Sequence, residues 1–283
     1  MILLHIIIIH FKMKIFKHKS ALNKAIKNIQ SVSFVPTMGA FHKGHISLIK
    51  KAKRKQGKTL VSVYVNPKQF NSKKDFNKYP RNLKKDLATL KKLKVDYTYL
   101  PKYSDIFSFK VTNSIYLHKS SKLLCGKFRL GHFKGVLNIV NRFLEIIKPK
   151  FIFLGKKDFQ QFFLIKKHVE KRKINSKIIL CNTIREKNGI ACSSRNKNLN
   201  FKQIKIASKA INIIKKEKKL LKQSKKKLDY IKIIKRLKNL GVKKIDYIKV
   251  LNLKNLKKPK NLKNNFNIFI AFYIGNVRLI DNF

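Results

Sequence analysis

Acidic residues are scarce in this sequence: 12 Asp and Glu stand against 69 Lys and Arg, a formal charge of +57 over 283 residues. An imbalance of that size raises nucleic acid or an anionic membrane surface as the first partner to consider. The distribution argues against both. Lysines occupy nearly every segment and travel with Ile, Asn and Phe, all residues with A- or T-rich codons, whereas a nucleic-acid footprint is clustered or interleaved with aromatics. Base bias loading the surface with lysine is the preferred account, with no dedicated nucleic-acid partner, and the lysine runs at 215–219 and 225–227 read as solvated helix faces. Cysteine is also sparse. Cys125, Cys181 and Cys192 are odd in number and lack a C-x-x-C pair, which excludes a disulfide framework and a four-ligand zinc site and suits a reducing, cytoplasmic setting. Long apolar runs are missing too: MILLHIIIIH (residues 1–10) falls well short of the roughly 20 residues that span a bilayer, so no membrane partner is expected. It has neither the basic start nor the small-residue cleavage site of a signal peptide. Residues 1–12 are either an extension ahead of a start at Met13 or part of an N-terminal strand that joins a sheet.

What is present is a rhythm. From residue 32, short apolar runs alternate with longer amphipathic ones, the pattern of strand-helix-strand units around a mostly parallel sheet. Strands are expected at 32–35, 60–65, 95–100, 151–154 and 178–180. Helices are expected at 45–55, 82–93, 136–147 and 160–170, the second with Leu83, Leu87, Leu90 and Leu93 at helical spacing. Beyond residue 183 come long lysine-rich helices at 199–222 and 224–239, then strands at 245–251, 267–274 and 278–281. The fold class is therefore α/β, a doubly wound, Rossmann-like sheet over residues 1–182 with a smaller C-terminal α+β domain over 183–283. No internal repeat is visible.

In open sheets of this kind, ligands bind outside the carboxyl ends of the strands. Three of the loops there are chemically loaded: PTMGAFHKGH (36–45), NPKQF (66–70) and GKKDFQQ (155–161). In the first, Gly39 and Gly44 permit close backbone approach, and a helix opening at His45 would offer free amides and a positive dipole end to a phosphate. His42 and His45, three residues apart in an H-x-G-H arrangement, can donate to phosphoryl oxygens. A two-histidine metal site is the rival reading, without a third ligand nearby in sequence. Asp158 either assists a magnesium ion or caps the helix that follows. His132 is expected to order the loop around Gly131, and the run YPR (79–81) reads either as a cleft cover or as an ordinary turn.

These motifs, with FVPTMGAFHKGHISLI (34–49), VSVYVNPKQF (61–70), Asp86, GHFKGV (131–136), SSRN (193–196) and RLID (278–281), follow one another over residues 13–283 in an order that resembles the pantoate–β-alanine ligase family. The resemblance implies ATP-dependent condensation of pantoate with β-alanine through a pantoyl adenylate, with Mg2+ and a homodimeric enzyme. It implies His45 as the catalytic residue. The nucleotide would lie on Met38, Gly39, Ala40, Phe41, His42, Lys43, Gly44 and His45, with Gly155, Lys156, Lys157, Asp158, Ile184, Ser193, Ser194, Arg195 and Asn196. Gln69 would hold pantoate and β-alanine and Gln161 pantoate, amides being able both to donate and to accept, with Asn66 and Arg129 in the same pocket. Two positions depart from the family pattern, which has Glu where Lys156 stands and Pro where Leu130 stands. Another nucleotidyl- or aminoacyl-transferring H-x-G-H enzyme is the alternative, but this chain has SSRN and no lysine-loop motif or anticodon-binding region.

Overall fold

The structure, a computed structural model, describes residues 12–224, 228–262 and 265–283. The reading of residues 1–10, and that of the lysine run at 225–227, lie outside the described residues. Strands β1 (Lys14–Phe16), β2 (Val32–Thr37), β3 (Lys58–Val63), β4 (Tyr97–Tyr99), β5 (Phe151–Gly155) and β6 (Lys177–Cys181) form one sheet in the order β1-β4-β3-β2-β5-β6. Every pairing within it is parallel. A second sheet, antiparallel, holds β7 (Lys244–Asn252), β8 (Phe266–Ile274) and β9 (Val277–Asn282) in that order. This is the doubly wound α/β class with a small C-terminal α+β unit.

Period-two alternation sends β2 to both sides of the first sheet. Phe34 packs with Leu60, Ile152 and Leu137 under the helices Lys19–Ile26 and His132–Ile147. Val35 packs with Val61 and Phe153 under the helices Lys43–Lys53 and Leu83–Lys92. The second sheet has its own core, in which Phe272, Ile270 and Ile268 meet Ile214 and Leu237 from the helices Phe201–Ser224 and Tyr230–Asn239. Its other face, through Tyr247, Phe269 and Ala271, packs on Phe133, Phe159 and Phe163 of the first unit.

Strand order reverses at β2: the chain winds outward through β3 and β4, then returns to place β5 and β6 on the opposite side. β2 pairs with β3 along its whole length but with β5 only at Ser33 and Phe34, so β2 and β5 part before Pro36. A proline, which has no N–H to give a ladder, stands in the stretch without a β5 partner. The crevice that opens there is the topological switch point at which such sheets bind ligands.

Two elements differ from the sequence-based expectation at that crevice. The helix after β2 starts at Lys43, two residues before His45, because His42 is its N-cap and its Nδ1 accepts from the Gly44 amide at 3.1 Å. The helix expected from residue 136 starts at His132. The strand β1 and the helix Lys19–Ile26 are additions that the apolar rhythm does not announce.

Candidate active site

The carboxyl ends of β2, β3, β5 and β6 surround a cavity of about 220 Å³. Between two of its lining residues, Met38 and His42, the chain makes a left-handed turn in which Gly39 and Ala40 have φ of 76° and 51°. That turn is held from below. The buried carboxylate of Asp86 accepts from the Ala40 amide at 2.8 Å and the Phe41 amide at 2.9 Å, while Thr37 Oγ1 accepts from Gly39 at 3.3 Å. An added Cβ on Gly39 would lie 2.7 Å from Asp86 Oδ2, so only glycine leaves room for this arrangement. Sequence reasoning assigns Asp86 no such role. The signal was available: in a chain so poor in acids, it shares a helix face with Leu83, Leu87 and Leu90.

Beyond the turn, His42 and His45 stack with ring centroids 4.0 Å apart. Burial, then the charge of Lys157, lowers the pKa of His42 to about 4. Burial, then His42 and Lys157, puts His45 well below the usual histidine value. Both rings are therefore neutral at physiological pH. Because His42 Nδ1 accepts from Gly44, its proton sits on Nε2, which remains a donor. His45 Nδ1 is buried with no hydrogen-bond partner. The same cavity is lined by Gly155, Lys157, Asp158, Ile184, Ser193, Ser194 and Arg195.

Asn66, Gln69, Gln161 and Arg129 also line it, with the apolar stripe Val136, Ile139, Val140 and Phe143 on one face of the helix His132–Ile147. The two glutamines expected to share a substrate thus line one cavity. Gln69 belongs to a 3-10 turn, Pro67–Gln69, capped by Asn66 Oδ1 on the Lys68 amide at 3.2 Å. His132 does more than order the loop at Gly131: its Nδ1 donates to the Gln69 carbonyl at 2.7 Å, and Arg129 Nη2 donates to the same carbonyl at 3.2 Å. Burial, then the Arg129 charge, lowers the pKa of His132 to about 3.

Several residues expected at the nucleotide do not line this cavity. Gly39, Ala40 and Phe41 are not in the cavity wall, and the Ala40 and Phe41 amides are already taken by Asp86. Lys43 is exposed and pairs with Glu186 at 3.2 Å. The Lys156 side chain does not line the cavity, and Leu130 is 81% exposed. Asn196 lines an adjoining cavity of about 520 Å³ that shares Tyr79, Arg129, Lys157, Asp158, Ser193 and Arg195 with the first. Asp158 is at the N-cap of the helix Phe159–Lys171 but makes no side-chain cap bond; its Oδ1 lies 3.1 Å from the Lys157 ammonium. Among the described residues no group of three His, Cys, Asp or Glu could hold a metal ion. In the YPR run, Tyr79 lines the cavity and accepts from Ser194 Oγ at 3.3 Å, whereas Arg81 turns back onto the carbonyls of Phe76, Asn77 and Tyr79. Tyr64, Asn182, Thr183 and Cys192 also line the cavity and carried no sequence signal that singled them out.

The neutral histidines set a pH dependence. For His42 and His132 the folded-state pKa values, about 4 and about 3, lie below the ordinary histidine value of 6.5, so the unfolded chain takes up the extra protons as pH falls. Their contribution to stability is complete above about pH 6.5 and declines toward about pH 4 and 3. Thermal melts are expected to show a lower Tm at about pH 5 than at about pH 7.5, by this linkage. An equal or higher Tm at the acid value would reject it.

Comparison with known proteins gives the family and the fold. The family model described as pantoate-beta-alanine ligase matches residues 13–283. The chain is 41% identical over 268 residues to the pantothenate synthetase of Francisella tularensis subsp. novicida (strain U112), covering 93% of each chain. It is similar to the crystal structure of a pantoate-beta-alanine ligase from Francisella tularensis complexed with beta-gamma ATP and beta-alanine, at a TM-score of 0.81 and 39% identity, with 96% of this chain and 97% of that one covered. It is also similar to the crystal structure of the pantothenate synthetase from Thermus thermophilus, at a TM-score of 0.86 and 26% identity, with 96% of this chain and 99% of that one covered.

Proposed function

We infer the role of the cavity from one premise: the chain belongs to the pantoate-beta-alanine ligase family. It is a ligase that joins pantoate to β-alanine to form pantothenate, with ATP as the activating substrate. In the first step a pantoate carboxylate oxygen attacks the ATP α-phosphorus and pyrophosphate leaves, giving pantoyl adenylate. In the second, the β-alanine amine attacks the acyl carbon, AMP leaves and the amine gives up a proton.

The observation that carries this assignment is one cavity whose lining combines two sets of groups. One set has two neutral imidazoles, Lys157 and Arg195, a donor-rich setting for a triphosphate. The other has Gln69 and Gln161 beside an apolar stripe, which suits a branched hydroxy acid. Neutral imidazoles donate to phosphoryl oxygens in a site whose full positive charges are supplied by Lys157 and Arg195. His45 is the residue assigned to stabilise charge at the α-phosphorus, with His42 beside it and Gly44, Gly155, Ser193 and Ser194 around the nucleotide. Gln69 is assigned to both acids, and Gln161, Asn66 and Arg129 to pantoate.

A single carboxylate in a phosphate site fits Mg2+, which keeps several waters and is bound through one or two carboxylates plus substrate phosphates. Asp158 would hold it, and the ion would share the neutralisation of phosphate charge. Residues 1–182 would bind ATP and pantoate, residues 183–283 would close over them, and the enzyme would work as a cytoplasmic homodimer. Among the described residues no helix is long and apolar enough to cross a membrane.

The test is exchange of labelled pyrophosphate into ATP. Exchange that requires pantoate and does not require β-alanine is expected. No exchange, together with tight and steeply salt-dependent RNA binding, would retire the ligase assignment in favour of a basic nucleic-acid-binding protein.

A further inference from the structure

The strand β9 reaches the turn Lys156–Asp158, which borders the cavity, from the C-terminal sheet. Asn282 is buried, and its Nδ2 donates to the Lys156 carbonyl at 2.8 Å and to the Lys157 carbonyl at 3.0 Å. Two carbonyl oxygens call for the NH2 end of an amide, and Oδ1 then faces the Asn267 side chain at 2.7 Å. The strand itself has little freedom. On one side of Asn282, Asp281 forms a two-pronged pair with Arg185 at 2.6 and 2.9 Å; on the other, the Phe283 amide and carbonyl both pair with Ile268 at 3.1 Å.

The turn that Asn282 grips, Lys156–Asp158, carries Lys157. Its ammonium is close enough to both stacked histidines to depress their pKa values. The turn lies between Gly155, paired with Cys181 at the end of the sheet, and the buried Phe159 that opens the next helix. Between those two anchors the Asn282 hydrogen bonds fix the 156 and 157 carbonyls, and with them the direction in which Lys157 leaves the backbone.

We propose that Asn282 is a positioning residue for ATP, holding the Lys156–Asp158 turn so that the Lys157 ammonium meets the phosphates. This rests on the assignment of the cavity made above, and the two are separable. Wild-type enzyme must first show pantoate-dependent pyrophosphate exchange; if it does not, it is the cavity assignment that fails.

Given that activity, Asn282→Asp keeps the size of the side chain, removes both donors and turns a carboxylate toward two carbonyl oxygens. Its KM for ATP is expected to rise about tenfold, while KM for pantoate and for β-alanine stays within about twofold of wild type. A residue that merely stabilises the fold would not split the three values. In a Lys157→Ala background the same substitution is expected to change KM for ATP by less than about twofold, because the group being positioned is gone. Asn282→Ser, smaller and uncharged, serves where the aspartate variant does not fold, with the same expected split. An unchanged KM for ATP, equal rises in all three KM values, or an undiminished effect without Lys157 would overturn the proposal.

Discussion

Replacing His45 with alanine is expected to lower turnover in the adenylate-forming half-reaction by roughly 100- to 1000-fold, the range for losing one preorganised donor to transition-state charge. The same factor should appear in pyrophosphate exchange and in overall pantothenate formation. Stability is expected to change little, for a physical reason. A buried polar atom without a partner is costly to a folded protein, and His45 Nδ1 is such an atom, so its removal relieves a penalty that offsets the lost packing. The ring of His42, stacked on His45, keeps its own cap bond to Gly44 and remains to bind the nucleotide. KM for ATP should therefore move less than kcat. His45→Gln, which returns an N–H donor, is expected to recover part of the rate. Steady-state kinetics with a melting curve for each variant decides the matter: turnover equal to wild type would remove His45 from the chemistry, and a collapse in Tm would recast it as structural.

How much of this was legible in the sequence depends on whether the deciding interaction is local. The run ending in His45 was readable because a buried strand, a glycine turn and an amphipathic helix follow one another within a few residues, and the parallel sheet follows from repeating that unit. The helix start was misplaced by two residues because histidine is an unusual N-cap; Ser, Thr, Asp and Asn are the residues that announce one. β1 is three residues long and on the sheet edge, too short for a periodic signal. Asn282 and the carbonyls it grips are 125 and 126 residues apart in sequence, and Asp86 is 45 and 46 residues from the amides it holds, so neither pairing has a local trace. The entry to the helix His132–Ile147 was misread for another reason. Glycines at 131 and 135 look like breakers, yet Gly135 lies inside the helix because another backbone needs the space a side chain would fill.

That space gives the second large effect, in Gly135→Ala. A Cβ on Gly135 would lie 2.2 Å from the Lys68 carbonyl oxygen, 2.6 Å from its carbon and 2.9 Å from the Gln69 nitrogen. All three are backbone atoms, so no rotamer change relieves the contact, and the Pro67–Gln69 turn must move off the helix by roughly 1 Å to restore ordinary packing distances. Three bonds register that movement: Asn66 Nδ2 to the Gly135 carbonyl at 3.1 Å, and the His132 and Arg129 bonds to the Gln69 carbonyl. Gln69 would be carried with the turn, and a displacement of that size at a positioning group costs on the order of 100-fold. The expected result is a roughly 100-fold fall in kcat/KM for pantoate, a smaller change for ATP, and a loss of about 1–3 kcal/mol of stability from overpacking. Gly131→Ala is the control. Nothing lies within 4 Å of a Cβ there, so its positive φ of 77° brings backbone strain without pushing the turn, and KM for pantoate should stay near wild type. Equal pantoate kinetics in the two variants would mean that the close approach at Gly135 does not set the place of Gln69.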